Sequence, residues 1–244
     1  MISTPKEELN DRLRKVQHII AELQADACII TTSVNQFYLN DFIFDGYLYI
    51  LPESDPLLFI KRPLGIEGQR VEYIRKPEQL PDILGKHNLS LPRRLLLETD
   101  ALSYTAAVRL QTALNMPEMI NASQKLREIR SVKSDFEIQQ IRESAIIHAE
   151  VYSQIRSIYR PGMTDIEFQI ELEYRMRKAG SLGIFRSFGE NMDIYMGSIL
   201  AGNNAQTPSP YDYALGGGGI TPLLPLGANG TPLKEGTTLM VDMA

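Results

Sequence analysis

Apolar segments of helical and extended period alternate through the first half of the chain, and this alternation constrains the fold more than any other feature. Leu9, Leu13, Val16, Ile20 and Leu23 recur every three or four residues, which predicts a helix with one apolar face. Thr4-Pro5-Lys6-Glu7 supplies its start, with Thr4 as cap, Pro5 at the first helical position and Glu7 closing a capping box. Asp26 to Thr32 reads as a buried strand. Residues 46–51 and 57–60 read as paired strands around a Pro52-Glu-Ser-Asp-Pro56 turn, and Val71 to Arg75 as another strand. A helix over Glu78 to Lys86, a strand over Arg94 to Glu98, a helix capped by Ser103 and running to Leu114, and a strand at Met119-Ile120-Asn121 complete the pattern. The expectation is an α/β domain over residues 1–122.

Residues 123–244 read differently. Ser134 to Tyr159 is predicted as one long helix with Ile138, Ile141, Ala145, His148, Tyr152, Ile155 and Tyr159 on one stripe, ended by Arg160-Pro161-Gly162. Thr164-Asp-Ile-Glu167 is a second capping box, opening a helix to Ala179 with Gly180 as its stop. Beyond it come short strand-like pieces. Gly216 to Gly219 reads as a flexible loop, because a phosphate cradle needs a strand before it and a helix after it. The last residues, Leu239 to Ala244, form an apolar strand. A terminus inside a strand is expected where a longer chain has been cut.

Composition excludes several classes. The net charge is −5, and the short basic stretches at Arg93-Arg94 and Lys125 to Lys133 are interrupted or flanked by Glu128 and Asp135, so no nucleic-acid partner is expected. No apolar run approaches ~18 residues and no signal core opens the chain, which predicts no membrane partner. The lone Cys28 lies in an apolar run and reads as a small buried hydrophobe in a reducing, cytoplasmic setting. The sequons at Asn88, Asn121 and Asn229 read as chance without a secretion signal. Glu98 and Asp100 form a carboxylate pair after a strand, but with no base or metal partner beside them they read as turn chemistry. His148, on the apolar stripe, reads as a packed or interface histidine, and His18 and His87 as surface residues.

Four segments stand out in order along the chain. Asn35-Gln-Phe-Tyr-Leu-Asn-Asp-Phe42 is similar to an N-x-x-Y-L-T-G-F segment, with Asn40-Asp41 in place of Thr-Gly. Leu126 to Arg142 is similar to R-x-I-K-S-x-x-E-I, Tyr159 to Glu167 to x-x-P-G-x-T-E-x-E, and Glu235 to Ala244 to x-G-D-x-x-x-x-D-x-G. Together and in this order they resemble the Xaa-Pro aminopeptidase, prolidase and creatinase family of pita-bread metallopeptidases, in which the second segment enters the catalytic domain and the third is a helix junction.

The resemblance implies a creatinase-type N-terminal mixed-sheet α/β domain over 1–122 and an incomplete α+β pita-bread domain over 123–244. It implies hydrolysis of an N-terminal peptide bond, of the Xaa-Pro type, by a water activated between two divalent metals (Mn, Co or Zn). Asp242 matches the first of the family's metal ligands, and the others would follow residue 244, so the chain as given is expected to be catalytically incomplete. Ala201 to Ser209 matches S-G-x-N-A-x-x-P-H with Ser209 where the family has a substrate-facing histidine. Serine has no pKa near neutrality and could only hydrogen-bond to a substrate there. Asp212, three residues later, is a partial substitute by proximity alone. A peptide substrate and a homodimer through the N-terminal domain are implied partners. The rival readings are a creatinase-like C–N hydrolase and a non-catalytic peptide- or partner-binding relative.

Overall fold

The computed structural model describes residues 3–184, 196–210 and 216–243. They divide into two compact units, Met1–Phe136 and Glu137–Ala244.

The first unit is a six-stranded mixed sheet covered on both faces. Its elements are α1 (Lys6–Glu22), β1 (Ala27–Ile30), α2 (Ser33–Asn40), β2 (Asp45–Ile50), β3 (Leu57–Arg62), β4 (Val71–Tyr73), α3 (Leu80–Lys86), β5 (Arg94–Leu97), α4 (Tyr104–Ala113), β6 (Glu118–Asn121) and α5 (Ser123–Ser131). The strand order is β4-β3-β2-β1-β5-β6, with β1–β2 and β2–β3 antiparallel and the other neighbours parallel. All four residues of β1 are buried, as a central strand sandwiched between helices requires. Alternation sorts the sheet residues. Cys28, Ile30, Leu48, Ile50, Leu58, Ile60 and Leu96 pack on one side with Val16 and Ile20 of α1 and Leu126 of α5. Ile29, Tyr49, Phe59, Leu95 and Leu97 pack on the other with Leu84 and Leu110. Cys28 is fully buried, and burial pushes its thiol pKa up, which fits a hydrophobe rather than a nucleophile.

The start of α1 departs from expectation. Pro5 is the N-cap and no side chain caps the helix. The Thr4 hydroxyl and amide and the Ser3 hydroxyl donate instead to the carboxylate of Asp41. Asp41 ends α2 in the left-handed region at φ 62°, where a glycine would be free of strain and an aspartate is tolerated. The Asn40-Asp41 variation therefore accepts an αL aspartate and anchors the chain's first residues through it. The Thr4 hydroxyl holds the Asp41 carboxyl below its ordinary value of 3.8. A depressed folded pKa contributes stability above the unfolded value and loses it as pH falls through the folded value. Acid titration from about pH 5 to about pH 2 should therefore lower the melting temperature of wild type more steeply than that of Asp41→Asn.

The second unit holds α6 (Asp135–Ser153), α7 (Asp165–Lys178) and an antiparallel strand pair, β7 (Gly197–Ala201) and β8 (Leu239–Met243). Thr164 caps α7 with both halves of the predicted box formed. Asp165 is fully buried and accepts from the amides of Gly230 at 2.8 Å and Asn229 at 3.3 Å. The Asn229 sequon is an Asx turn: its side-chain oxygen accepts from the Thr231 amide and hydroxyl. The long helix stops at Ser153 rather than Tyr159, followed by a 3-10 turn over Ile155–Ser157. The hydroxyls of Ser153 and Ser157 donate to the carbonyls three residues back, at 2.6 and 2.7 Å, which favours a tighter turn. Among the described residues no helix is long and apolar enough to cross a membrane.

Candidate functional site

The β7–β8 pair builds the surface on which the predicted ligand stands. Ile199, Leu239, Val241 and Met243 turn toward Phe168, Leu172 and Met176 of α7. Alternation puts Ser198, Leu200, Met240 and Asp242 on the other face, with Ser198 directly across from Asp242. Asp242 is exposed there.

Two devices fix the end of β8. Gly197 lies opposite Met243 at φ 145°, so close that a Cβ on it would sit 2.0 Å from the Asp242 carbonyl oxygen. From α6, the Tyr152 hydroxyl donates to the Met243 carbonyl and accepts from the Met243 amide, both at 2.9 Å. One phenol thus serves both backbone groups of Met243. Burial, with the Asp242 charge adding to it, raises the Tyr152 pKa and keeps the phenol protonated as a donor. His148 stacks on the Tyr152 ring at 4.3 Å, as a packed histidine. The sequence placed Tyr152 on the helix stripe. Its polar tip signals that a partner exists, but nothing local names a strand 91 residues away.

Ser209 is half-buried, and its hydroxyl donates to the Pro225 carbonyl at 3.3 Å. That bond is a loop pin. Asp212 lies outside the described residues. The glycine run is hydrogen-bonded at several of its backbone groups. Asn204, 3% exposed, accepts from the Gly218 amide at 2.8 Å and donates to the Gly227 carbonyl at 3.0 Å. The Gly217 amide donates to the Thr207 carbonyl and the Gly227 amide to the Gly216 carbonyl. Gly217, at φ 77°, packs against Leu200, so the run lies over the same sheet face as Asp242. Backbone with no side chains approaches closely enough to replace solvent with its own amides. Asn204→Ala should cost about 2 kcal/mol and speed hydrogen exchange at Gly217 and Gly218, read by mass spectrometry.

Glu98, Asp100 and Glu72 have structural partners. Glu98 is buried among donors from Thr31, Thr32 and Asn35, so it is no surface turn residue. Asp100 accepts from Asn121 and Arg127. His87 is a partly buried partner of Glu72 at 2.7 Å rather than a free surface residue. No group of three or more His, Cys, Asp or Glu side chains converges among the described residues. These residues therefore do not compose a metal centre, and Asp242 is one carboxylate of the several that a two-metal site needs.

A family model described as the creatinase/prolidase N-terminal domain matches residues 12–132. A putative dipeptidase of Bacillus subtilis is 26% identical over 199 residues, which cover 74% of this chain and 54% of the relative. An uncharacterized peptidase of the same organism is 24% identical over 176 residues, with 70% and 50% covered. The chain thus spans about half the length of the curated relatives it matches. Among solved structures, the prolidase from Pyrococcus furiosus superposes with a TM-score of 0.67 at 17% identity, covering 93% of this chain and 64% of that one. The X-Pro aminopeptidase from Thermotoga maritima gives 0.67 at 19%, covering 90% and 58%. At these identities the likeness is one of fold.

Proposed function

We propose, from the match of residues 12–132 to the creatinase/prolidase N-terminal domain, that the chain belongs to a peptidase of the Xaa-Pro type, hydrolysing the N-terminal amide bond of short peptides in a reducing, cytoplasmic compartment. The observation that carries this reading is the matched domain, followed in the second unit by an exposed aspartate on a clamped strand. In this reading the reaction is metal-assisted hydrolysis with two divalent ions (Mn, Co or Zn), and Asp242 is one ligand. Among the described residues no further ligand cluster accompanies Asp242, and in this reading the 244-residue chain by itself is expected to be inactive. What its residues do is structural. Gly197 and Tyr152 hold β8, and Asn204 holds the glycine run over the sheet face that carries Asp242. Val34, Phe37 and Ile43, exposed on and just after α2, support a homodimer through the N-terminal unit. The fold boundary proposed from sequence, residues 1–122 against 123–244, falls at the foot of α5.

A non-catalytic peptide- or partner-binding role is the second reading, favoured by Ser209, whose hydroxyl is spent on a backbone carbonyl. Assay with Ala-Pro and Ala-Pro-Ala, with Mn and then with chelator, separates the readings. The 244-residue chain is expected to be silent. The longest reading frame that contains it is expected to release the N-terminal residue only with metal present. Chelator-resistant cleavage of creatine would favour the creatinase-like alternative. Absence of any hydrolysis by the longer protein would leave the binding role.

A further inference from the structure

Asn229-Gly230 is the one Asn-Gly pair in the sequence, and it lies on the limb that docks against the start of α7. Glycine after asparagine leaves the intervening peptide nitrogen unshielded, because no Cβ stands beside it. A Cβ on Gly230 would meet only the Ile166 Cδ1, at 3.8 Å. Asn229 itself is exposed. Three groups converge on this peptide. The fully buried Asp165 carboxylate accepts from the Gly230 amide at 2.8 Å. The Thr231 hydroxyl and amide both donate to the Asn229 Oδ1, at 2.6 and 3.1 Å. The Asn229 Nδ2 makes no hydrogen bond among the described residues.

We propose that Asn229-Gly230 is a self-modifying site, at which the folded chain closes a succinimide and ends as aspartate or isoaspartate. The Gly230 nitrogen attacks the Asn229 Cγ. The new C–N bond forms as the Cγ–Nδ2 bond breaks, and Nδ2 leaves to solvent as ammonia. Its extra proton is the one the Gly230 nitrogen gives up: Asp165 takes it as general base and returns it through solvent. Negative charge develops on Oδ1 during attack, where both Thr231 donors already point. Only the χ1 and ψ torsions of Asn229 separate the reacting atoms, so the step is intramolecular. Water then opens the ring. Cleavage of the Cγ–N bond gives aspartate. Cleavage between the backbone carbonyl and the nitrogen gives isoaspartate, with the main chain rerouted through Cβ and Cγ. That extra length draws the Gly230 amide off Asp165. The same limb carries the Thr231 carbonyl that accepts from the Asp165 amide at 3.0 Å and the Thr164–Pro232 bridge. Isoaspartate therefore loosens the first turn of α7.

The test is timed mass spectrometry of the whole chain at neutral pH, beside a synthetic peptide of residues 226–234 that has the same sequence without the fold. Loss of ammonia and then gain of water are read at the peptide that holds Asn229, and fragmentation separates aspartate from isoaspartate. The folded chain is expected to convert about tenfold faster than the free peptide. Thr231→Val keeps the shape of the side chain and removes the hydroxyl donor. It is expected to slow the folded chain about tenfold. Asp165→Asn should slow it similarly, and if that variant fails to fold, Thr231→Val carries the test alone. Asn229→Gln, which cannot close the five-membered ring, is the blank. Hydrogen exchange over residues 165–168 should quicken as isoaspartate accumulates. A folded chain that converts no faster than the peptide, or at a rate indifferent to Thr231→Val, would overturn the proposal.

Discussion

Glu98→Ala is expected to lower the unfolding free energy of the first unit by about 4 kcal/mol, because it strands buried donors as well as removing a charge. Glu98 is 2% exposed. Its carboxylate accepts from the Thr31 amide at 2.5 Å, the Thr32 amide at 2.9 Å, the Thr32 hydroxyl at 2.6 Å and the Asn35 side-chain amide at 2.5 Å. Thr32 is also the N-cap of α2, so the carboxylate sits where the helix dipole favours negative charge. Alanine would leave the part-buried Thr31 and Thr32 donors and the buried Asn35 amide without their shared acceptor. Glutamine keeps the shape but turns an amide NH2 toward donors, and should cost about half as much. With no tryptophan in the chain, urea unfolding is best followed by circular dichroism. At a slope of about 2 kcal/mol per molar, the alanine variant's midpoint should fall by about 2 M in the transition of the first unit. A midpoint within a few tenths molar of wild type would refute the assignment of Glu98 as the tie between β5, β1 and α2.

Gly197→Ala should have its effect in the other unit. The added methyl would meet the Asp242 carbonyl oxygen at 2.0 Å and the Met243 Cα at 2.5 Å, both backbone atoms that cannot swing aside. Relief requires β8 to move off β7, and the Tyr152 bonds to Met243 go with it. A cost of about 3 kcal/mol is expected, in the range of overpacked cores and strained backbone. Hydrogen exchange should accelerate across Leu239–Met243 while β1 and β5 stay protected. Ser198→Ala, one residue along and opposite Asp242, is the control and should change little. Wild-type protection of β8 in the glycine variant would show that the close approach is not needed.

Much of this fold was legible because its causes are local. Ser103 caps α4 and Thr164 caps α7 as their sequence contexts predict. The paired strands around Pro52 to Pro56 formed where alternation placed them. The four-residue run at β1 is buried on both sides, as a continuous apolar segment implies. Thr4 was misread for a reason of the same kind. A capping hydroxyl is a generic donor and acceptor, and Asp41, 37 residues on, competed for it. α2 was not drawn from the sequence because it is only eight residues long and its buried face mixes polar Asn35 and Gln36 with Tyr38 and Leu39. It is held by Thr32 and by the distant Glu98.

The sequence by itself therefore determined where α4 and α7 begin, which residues alternate into the sheet, and that one aspartate would stand on an apolar strand near the chain's end. Backbone propensity, capping and side-chain period act over a few residues and are written in order along the chain. Only the tertiary structure decided which polar groups are spent and on whom. Glu98 meets Thr31 across 67 residues and Tyr152 meets Met243 across 91. Such partners are chosen by sheet order and helix docking, and a buried polar group must take whichever complement the topology brings within hydrogen-bond reach.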